Sequence, residues 1–81
     1  MRKLTKGNIS LNIVRHIIVR NFWEYYITDR YTPDSDIQEA LVYGHETEIG
    51  DISIKELKPY ILTDTKNLDI APCPQWSWES E

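Results

Sequence analysis

The sequence predicts a small α+β domain. It reads as an N-terminal helix, a three-stranded antiparallel β-meander, a short C-terminal helix and an extended tail that carries tryptophans. Three observations lead there. Phe22-Trp23-Glu24-Tyr25-Tyr26-Ile27-Thr28 is dense in aromatic and β-branched residues on both faces, as suits a central strand. Ile9 to Arg20 places apolar residues at helical intervals. Ile49 to Ile54 alternates, with Ile52 and Ile54 against Asp51 and Ser53, as a half-buried strand does.

Each element follows in chain order. Thr5 or Ser10 offers an N-cap hydroxyl ahead of the first apolar run. In that run Ile9/Ile13/Ile17 and Val14/Ile17/Ile18 share a helix face, while Asn12, Arg15, His16 and Arg20 fall mostly elsewhere. The β-branched content of the same run opposes helix, because those side chains lose rotamer freedom there. Phe22–Thr28 is the first strand. Tyr31–Asp36 is a loop, with Pro33 suited to a turn. Ile37–Gly44 is the second strand, and His45–Glu48 is short enough for a hairpin connection to the third, Ile49–Ile54. Ser53-Ile54-Lys55-Glu56 has the form of a capping box and opens a short helix through Leu57 and Tyr60 to Leu62. Pro59 fits only its first turn. Residues 64–81 form a mostly irregular tail, in which Pro72 and Pro74 favour extended backbone. All 81 residues belong to one domain.

Phe22 to Leu57 resembles a group of small bacterial proteins often found on plasmids, phages and other mobile elements. The resemblance rests on the strand ending Tyr26-Ile27-Thr28-Asp29, and on the run from Gly44 through Glu46, Glu48, Ile49, Gly50, Ser53, Ile54 and Glu56 to Leu57. It implies the hairpin-to-helix arrangement and carries no activity with it.

Composition excludes several classes. A chain of this size buries only somewhat more than roughly 60% of its unfolded surface, so a groove or flat face is easier to build than an enclosed site. Cys73 is the sole cysteine and has no internal partner, which points to a reducing compartment, the cytoplasm. No apolar run is long enough to span a membrane. Through Trp23 the chain carries Arg2, Lys3, Lys6, Arg15 and Arg20 and no acid, a charge of +5; the remainder sums to −9. Arg15 and Arg20 are therefore the candidates for a nucleic-acid contact, although the opposing acids cancel most long-range attraction to phosphate.

No nucleophile is paired with a base in the sequence, so no catalytic residue is assigned and no cofactor or metal is expected. His45, Glu46, Glu48 and Asp51 cluster near one turn and define the alternative of a metal-dependent enzyme. His16 reads as a helix-flank residue, and Cys73 as an incidental thiol in an exposed tail. Trp76 and Trp78 point to one side of an extended segment and must cover something. With Trp23 they are the candidate partner-binding residues, tryptophan being enriched among interface hot spots. The expected role is a non-enzymatic interaction or accessory protein with a protein partner, of mobile-element origin. A nucleic-acid-associated protein is the first alternative.

Overall fold

The computed structural model describes residues 1–80. It contains seven strands: β1 (Arg2–Lys6), β2 (Ile9–Val19), β3 (Glu24–Thr28), β4 (Ile37–Tyr43), β5 (Thr47–Ser53), β6 (Ile61–Thr65) and β7 (Ser77–Trp78). One short helix, α1 (Ile54–Leu57), runs on into a 3-10 turn at Lys58–Tyr60. The strands form a single antiparallel sheet in the order β5-β4-β3-β2-β1-β7, and β6 pairs with β2 beside that path.

The expected three-stranded meander is only part of this larger sheet. β3, β4 and β5 pair antiparallel in sequence order, from Glu24↔Tyr43 and Tyr43↔Thr47 outward, but Phe22 and Trp23 lie outside β3, Thr47 and Glu48 of the expected turn belong to β5, and Ile54 opens the helix. The rest corrects the expected α+β arrangement. The segment read as an N-terminal helix is β2, an eleven-residue strand. Preceding it, Leu4–Lys6 belongs to β1, which turns back through Gly7-Asn8 to pair Lys6 with Ile9. Gly7 has φ 57, so this two-residue loop begins with the left-handed residue that a tight hairpin requires.

The reason β2 mimics a helix is a register shift. Its pairing with β3 slips between Ile13 and Arg15, so Val14 is an extra residue. Ahead of the shift, Ile13 packs on one face of the sheet with Leu4, Tyr26 and Leu41. Beyond it, Ile17 and Val19 pack on the other with Tyr25, Ile27 and Ala40. A strand that is buried first on one face and then on the other has adjacent apolar residues at the crossover. The i, i+3 and i, i+4 spacings arise from that crossover.

β2 also holds two different partners along one edge. Arg2–Lys6 pairs with its first half and Ile61–Thr65 with its second, from His16↔Thr65 to Val19↔Ile61. The sheet therefore curls. The inner cluster takes side chains from β2, β3 and β4 and, packed around them, Ile52, Ile54, Leu57 and Ile61 from β5, α1 and β6. The outer face is covered by the segment that follows β6. Leu68, Cys73 and Trp76 are buried there against Leu4, Ile13, Tyr26 and Leu41. This tail is irregular up to β7, which pairs with β1 through Leu4↔Trp78 and Thr5↔Ser77.

The capping signal at Ser53 is real but short-lived. Ser53 Oγ accepts the Glu56 amide at 3.3 Å, and Asp36 fastens the start of the helix by accepting from Ser53 Oγ (2.9 Å) and the Lys55 amide (2.8 Å). Those two bonds, the amide first, hold the Asp36 carboxyl below its ordinary pKa. Pro59 ends the helix by opening the 3-10 turn, and Ile61 and Leu62 enter a strand, not the helix expected for them.

Candidate interaction surface

β2 and β3 are joined by the tip Arg20-Asn21-Phe22. Val19 donates its amide to the Trp23 carbonyl at 3.0 Å, and Phe22 donates to the Val19 carbonyl at 2.8 Å. The last residue of such a three-residue loop takes a left-handed conformation, and glycine is its usual occupant. Here Phe22 takes it, at φ 66, and its side chain is 75% exposed. The tip is held from below: the Arg20 amide donates to the Tyr60 carbonyl at 2.9 Å.

Between the tip and the 3-10 turn lies a cleft of about 370 Å³, lined by Val19, Arg20, Trp23, Tyr25, Leu57 and Tyr60. Its walls are largely aromatic and aliphatic, and Tyr60 is 56% exposed. Trp23 forms one wall. Its opposite side meets the His45 ring edge-on at 5.2 Å and lines a second, smaller cleft of about 230 Å³ with Val42, His45, Glu46 and Glu48. Gly44 lies directly against this indole; a Cβ there would meet three ring carbons at 2.6, 2.7 and 2.7 Å. A wider depression of about 410 Å³ separates Met1-Arg2 from residues 66–69, but its lining is mostly polar. Its arginine is already committed: Arg2 donates to the Leu68 carbonyl at 2.7 Å and lies 4.4 Å over the Trp78 ring.

A polar group around Glu24 is partly buried within the sheet. His16 donates from Nε2 to Glu24 Oε1 at 2.9 Å, and its ring packs 4.7 Å from that of Tyr26. The Tyr26 hydroxyl lies 3.3 Å from Glu24 Oε1 and 3.4 Å from the Ala71 carbonyl oxygen. Burial, and then the neighbouring Glu24, push the Tyr26 hydroxyl well above the usual range. Cys73 is only 1% exposed, against the expectation of an exposed thiol, and burial raises its pKa. A buried thiol held in its neutral form is a poor nucleophile. The register shift at Val14 is what turns His16 inward, so it does not flank a helix.

No protein-family model, curated protein or solved structure matches this chain.

The sequence-derived candidates are dispersed. Trp76 is 6% exposed and part of the outer core, and Trp78 donates its indole N–H to the Ile70 carbonyl at 2.8 Å. Trp23 stands on the other side of the chain's β3, between the two clefts. Arg15 is held in a bidentate pair with Asp64, while Arg20 is exposed at the tip. His45 is exposed, and among the described residues no three His, Cys, Asp or Glu side chains come together in a way that could hold a metal ion. No helix among them is long and apolar enough to cross a membrane. Sequence reasoning missed Phe22, Leu57 and Tyr60. The available signal for Phe22 was the polar pair Arg20-Asn21 breaking two apolar strands, which marks a turn and not a strand.

Proposed function

We propose that this chain is a small, non-enzymatic interaction protein of the cytoplasm, and that its contact surface is the aromatic end formed by Phe22, Trp23, Leu57 and Tyr60. One observation carries the reading. Phe22 occupies a left-handed position that glycine would fill without strain, yet the fold gains almost no burial from its side chain. Strain without a return in packing is characteristic of functional positions. The neighbouring cleft supplies apolar surface and one cation, Arg20, with aromatic anchors of the kind that dominate protein interfaces. An accessory role on a mobile element, which the resemblance of Phe22–Leu57 suggests, accords with a protein that acts by contact.

A nucleic-acid role has less support. Arg2, Lys3, Lys6 and Arg15 engage, respectively, the Leu68 carbonyl, Glu79, Gln75 and Asp64, so four of the five basic side chains of this segment already have partners within the chain, and Arg20 stands apart at the tip.

The test is a photo-reactive phenylalanine analogue placed at residue 22, with a second at exposed Ile9 as control. Crosslinking in the host should yield a discrete protein adduct from position 22 and none from position 9. Phe22→Gly should raise the melting temperature by relieving the backbone, and should abolish the interaction. Retention of the interaction by Phe22→Gly, or a lowered melting temperature, refutes the assignment.

A further inference from the structure

The sheet has a second feature that the aromatic end does not use. β5 is the terminal strand of the path, and among the described residues its outer edge has no strand partner. Its seven residues pair with β4 in unbroken register, from Ile37↔Ser53 to Tyr43↔Thr47. The other open edges are poorer templates. β6 has five residues and a register shift against β2, and β7 has two. Alternate residues of an antiparallel edge strand turn their N–H and C=O groups outward, where they can template another strand. Charged side chains, proline and bulges are common protections of such edges. β5 has no lysine, proline or bulge, and its charges, Glu48 and Asp51, are acidic, so they repel another acidic strand and not a basic one.

The side chains along this edge have one sign. Glu46 and Glu48 flank its start and Asp51 lies near its middle. Among the described residues none of the three is in an ion pair, and Glu46 and Glu48 accept no side-chain hydrogen bond; Asp51 accepts only from the Tyr31 hydroxyl at 2.9 Å. Ile49 is 45% exposed beside them, and a side chain at Gly50 would meet nothing within 4 Å. The smaller cleft opens at the same place. Trp23 and Val42 give it apolar surface, with the His45 ring beside them, and Glu46 and Glu48 supply carboxylates. A lysine or arginine stem lying on the indole would bring its charged head to those carboxylates, combining cation–π attraction with charge-assisted hydrogen bonds.

We propose that β5 is a docking edge for an extended basic segment of another protein, which adds as a further strand and seats one lysine or arginine in the Trp23–Glu46–Glu48 cleft. A second copy of this chain would bring its own acidic edge to the same place, so charge selects against self-pairing. Main-chain bonds would supply register, and the alternate cationic side chains would supply selectivity.

The probe is a synthetic peptide matching β5 in length that alternates lysine with valine and threonine, added to the intact protein and followed by NMR. Binding should shift the amides of Thr47–Ser53, give cross-strand contacts to them, and weaken at least tenfold in the double variant Glu46→Gln/Glu48→Gln. N-methylation of the peptide at every second residue should abolish binding in one phase and spare it in the other, because only one set of amides faces β5. The same peptide with glutamate for lysine should not bind. Phe22→Gly should leave peptide binding unchanged, which separates this proposal from the assignment of the aromatic end. Equal tolerance of both N-methylation phases would reduce the effect to charge attraction and overturn the proposal. So would shifts centred away from β5, the absence of binding at millimolar peptide, or concentration-dependent self-association through β5.

Discussion

Gly44→Ala places a single methyl group where the fold has no space for it. The added Cβ would lie 2.6–2.7 Å from three carbons of the Trp23 indole. Carbon atoms normally approach to roughly 3.5–4.0 Å, so the ring must retreat by about 1 Å. The atoms concerned belong to the fused ring system and not to a flexible tip, and no small tilt clears all three. The ring also packs edge-on to His45, so its displacement disturbs that contact too. Overpacking of this kind costs about 1–3 kcal/mol. Against it stands the reduced freedom of the unfolded chain, which favours alanine by about 0.4–1 kcal/mol. The net loss is about 1–2 kcal/mol, a fall in melting temperature of about 5–15 °C for a chain of this length. Gly50→Ala is the control. Nothing lies within 4 Å of its Cβ, and the melting temperature should stay level or rise slightly. A double-mutant cycle completes the test. In a Trp23→Ala background, Gly44→Ala should lose its penalty. Thermal unfolding followed by circular dichroism reads all of these. A melting temperature for Gly44→Ala at or above that of the parent, or an undiminished penalty without the indole, would falsify the packing argument.

Three further outcomes are expected. Asp64 has a lowered pKa because Arg15 donates to its carboxylate; such a group stabilises the fold above its unfolded pKa and loses that effect as pH falls through its folded value. Stability should therefore decline on acidification below about pH 4, and Asp64→Asn should flatten that decline in pH-dependent denaturation. Trp76→Ala should cost about 3–5 kcal/mol, the range for a buried tryptophan, and should speed the reaction of Cys73 with a thiol reagent because the two share the covered outer face. Slow thiol labelling in that variant would contradict the packing of the tail. Gln75 adopts φ 70 after Pro74, in a turn closed by the Trp76 amide on the Cys73 carbonyl at 3.0 Å, so Gln75→Gly should leave stability unchanged or raise it, as measured by urea titration.

The middle of the chain was legible because its residues obey one rule at a time. Ile52 and Ile54 alternate with Asp51 and Ser53, and Pro33 and the polar residues after Tyr43 mark the connections, although β5 starts at Thr47, two residues earlier than the alternation suggests, and ends at Ser53. β2 was not legible because the register shift at Val14 moves its buried set from Ile13 on one face to Ile17 and Val19 on the other. No single period describes such a strand, and its β-branched residues carried the better signal. β6 was hidden for a different reason: Ile61 and Leu62 continue the apolar content of the capped helix, while Pro59 quietly closes it. Of the candidate surface, Trp23 stood out as an aromatic residue, but its neighbours Leu57 and Tyr60 arrive from more than thirty positions away. Only the return of β6 to β2 brings them beside Trp23.

The late position of the covering segment has a consequence for synthesis. Leu4, Ile13, Tyr26 and Leu41 are all made before Leu68, Cys73 and Trp76, which seal them. At translation speeds of about 5–20 residues per second, some 2–7 seconds separate the appearance of Leu41 from that of Trp76. During that interval the growing chain displays a greasy sheet face with no lid. A nascent polypeptide in that condition is a natural client for ribosome-associated chaperones, and its yield in cells should depend on them more than its small size suggests.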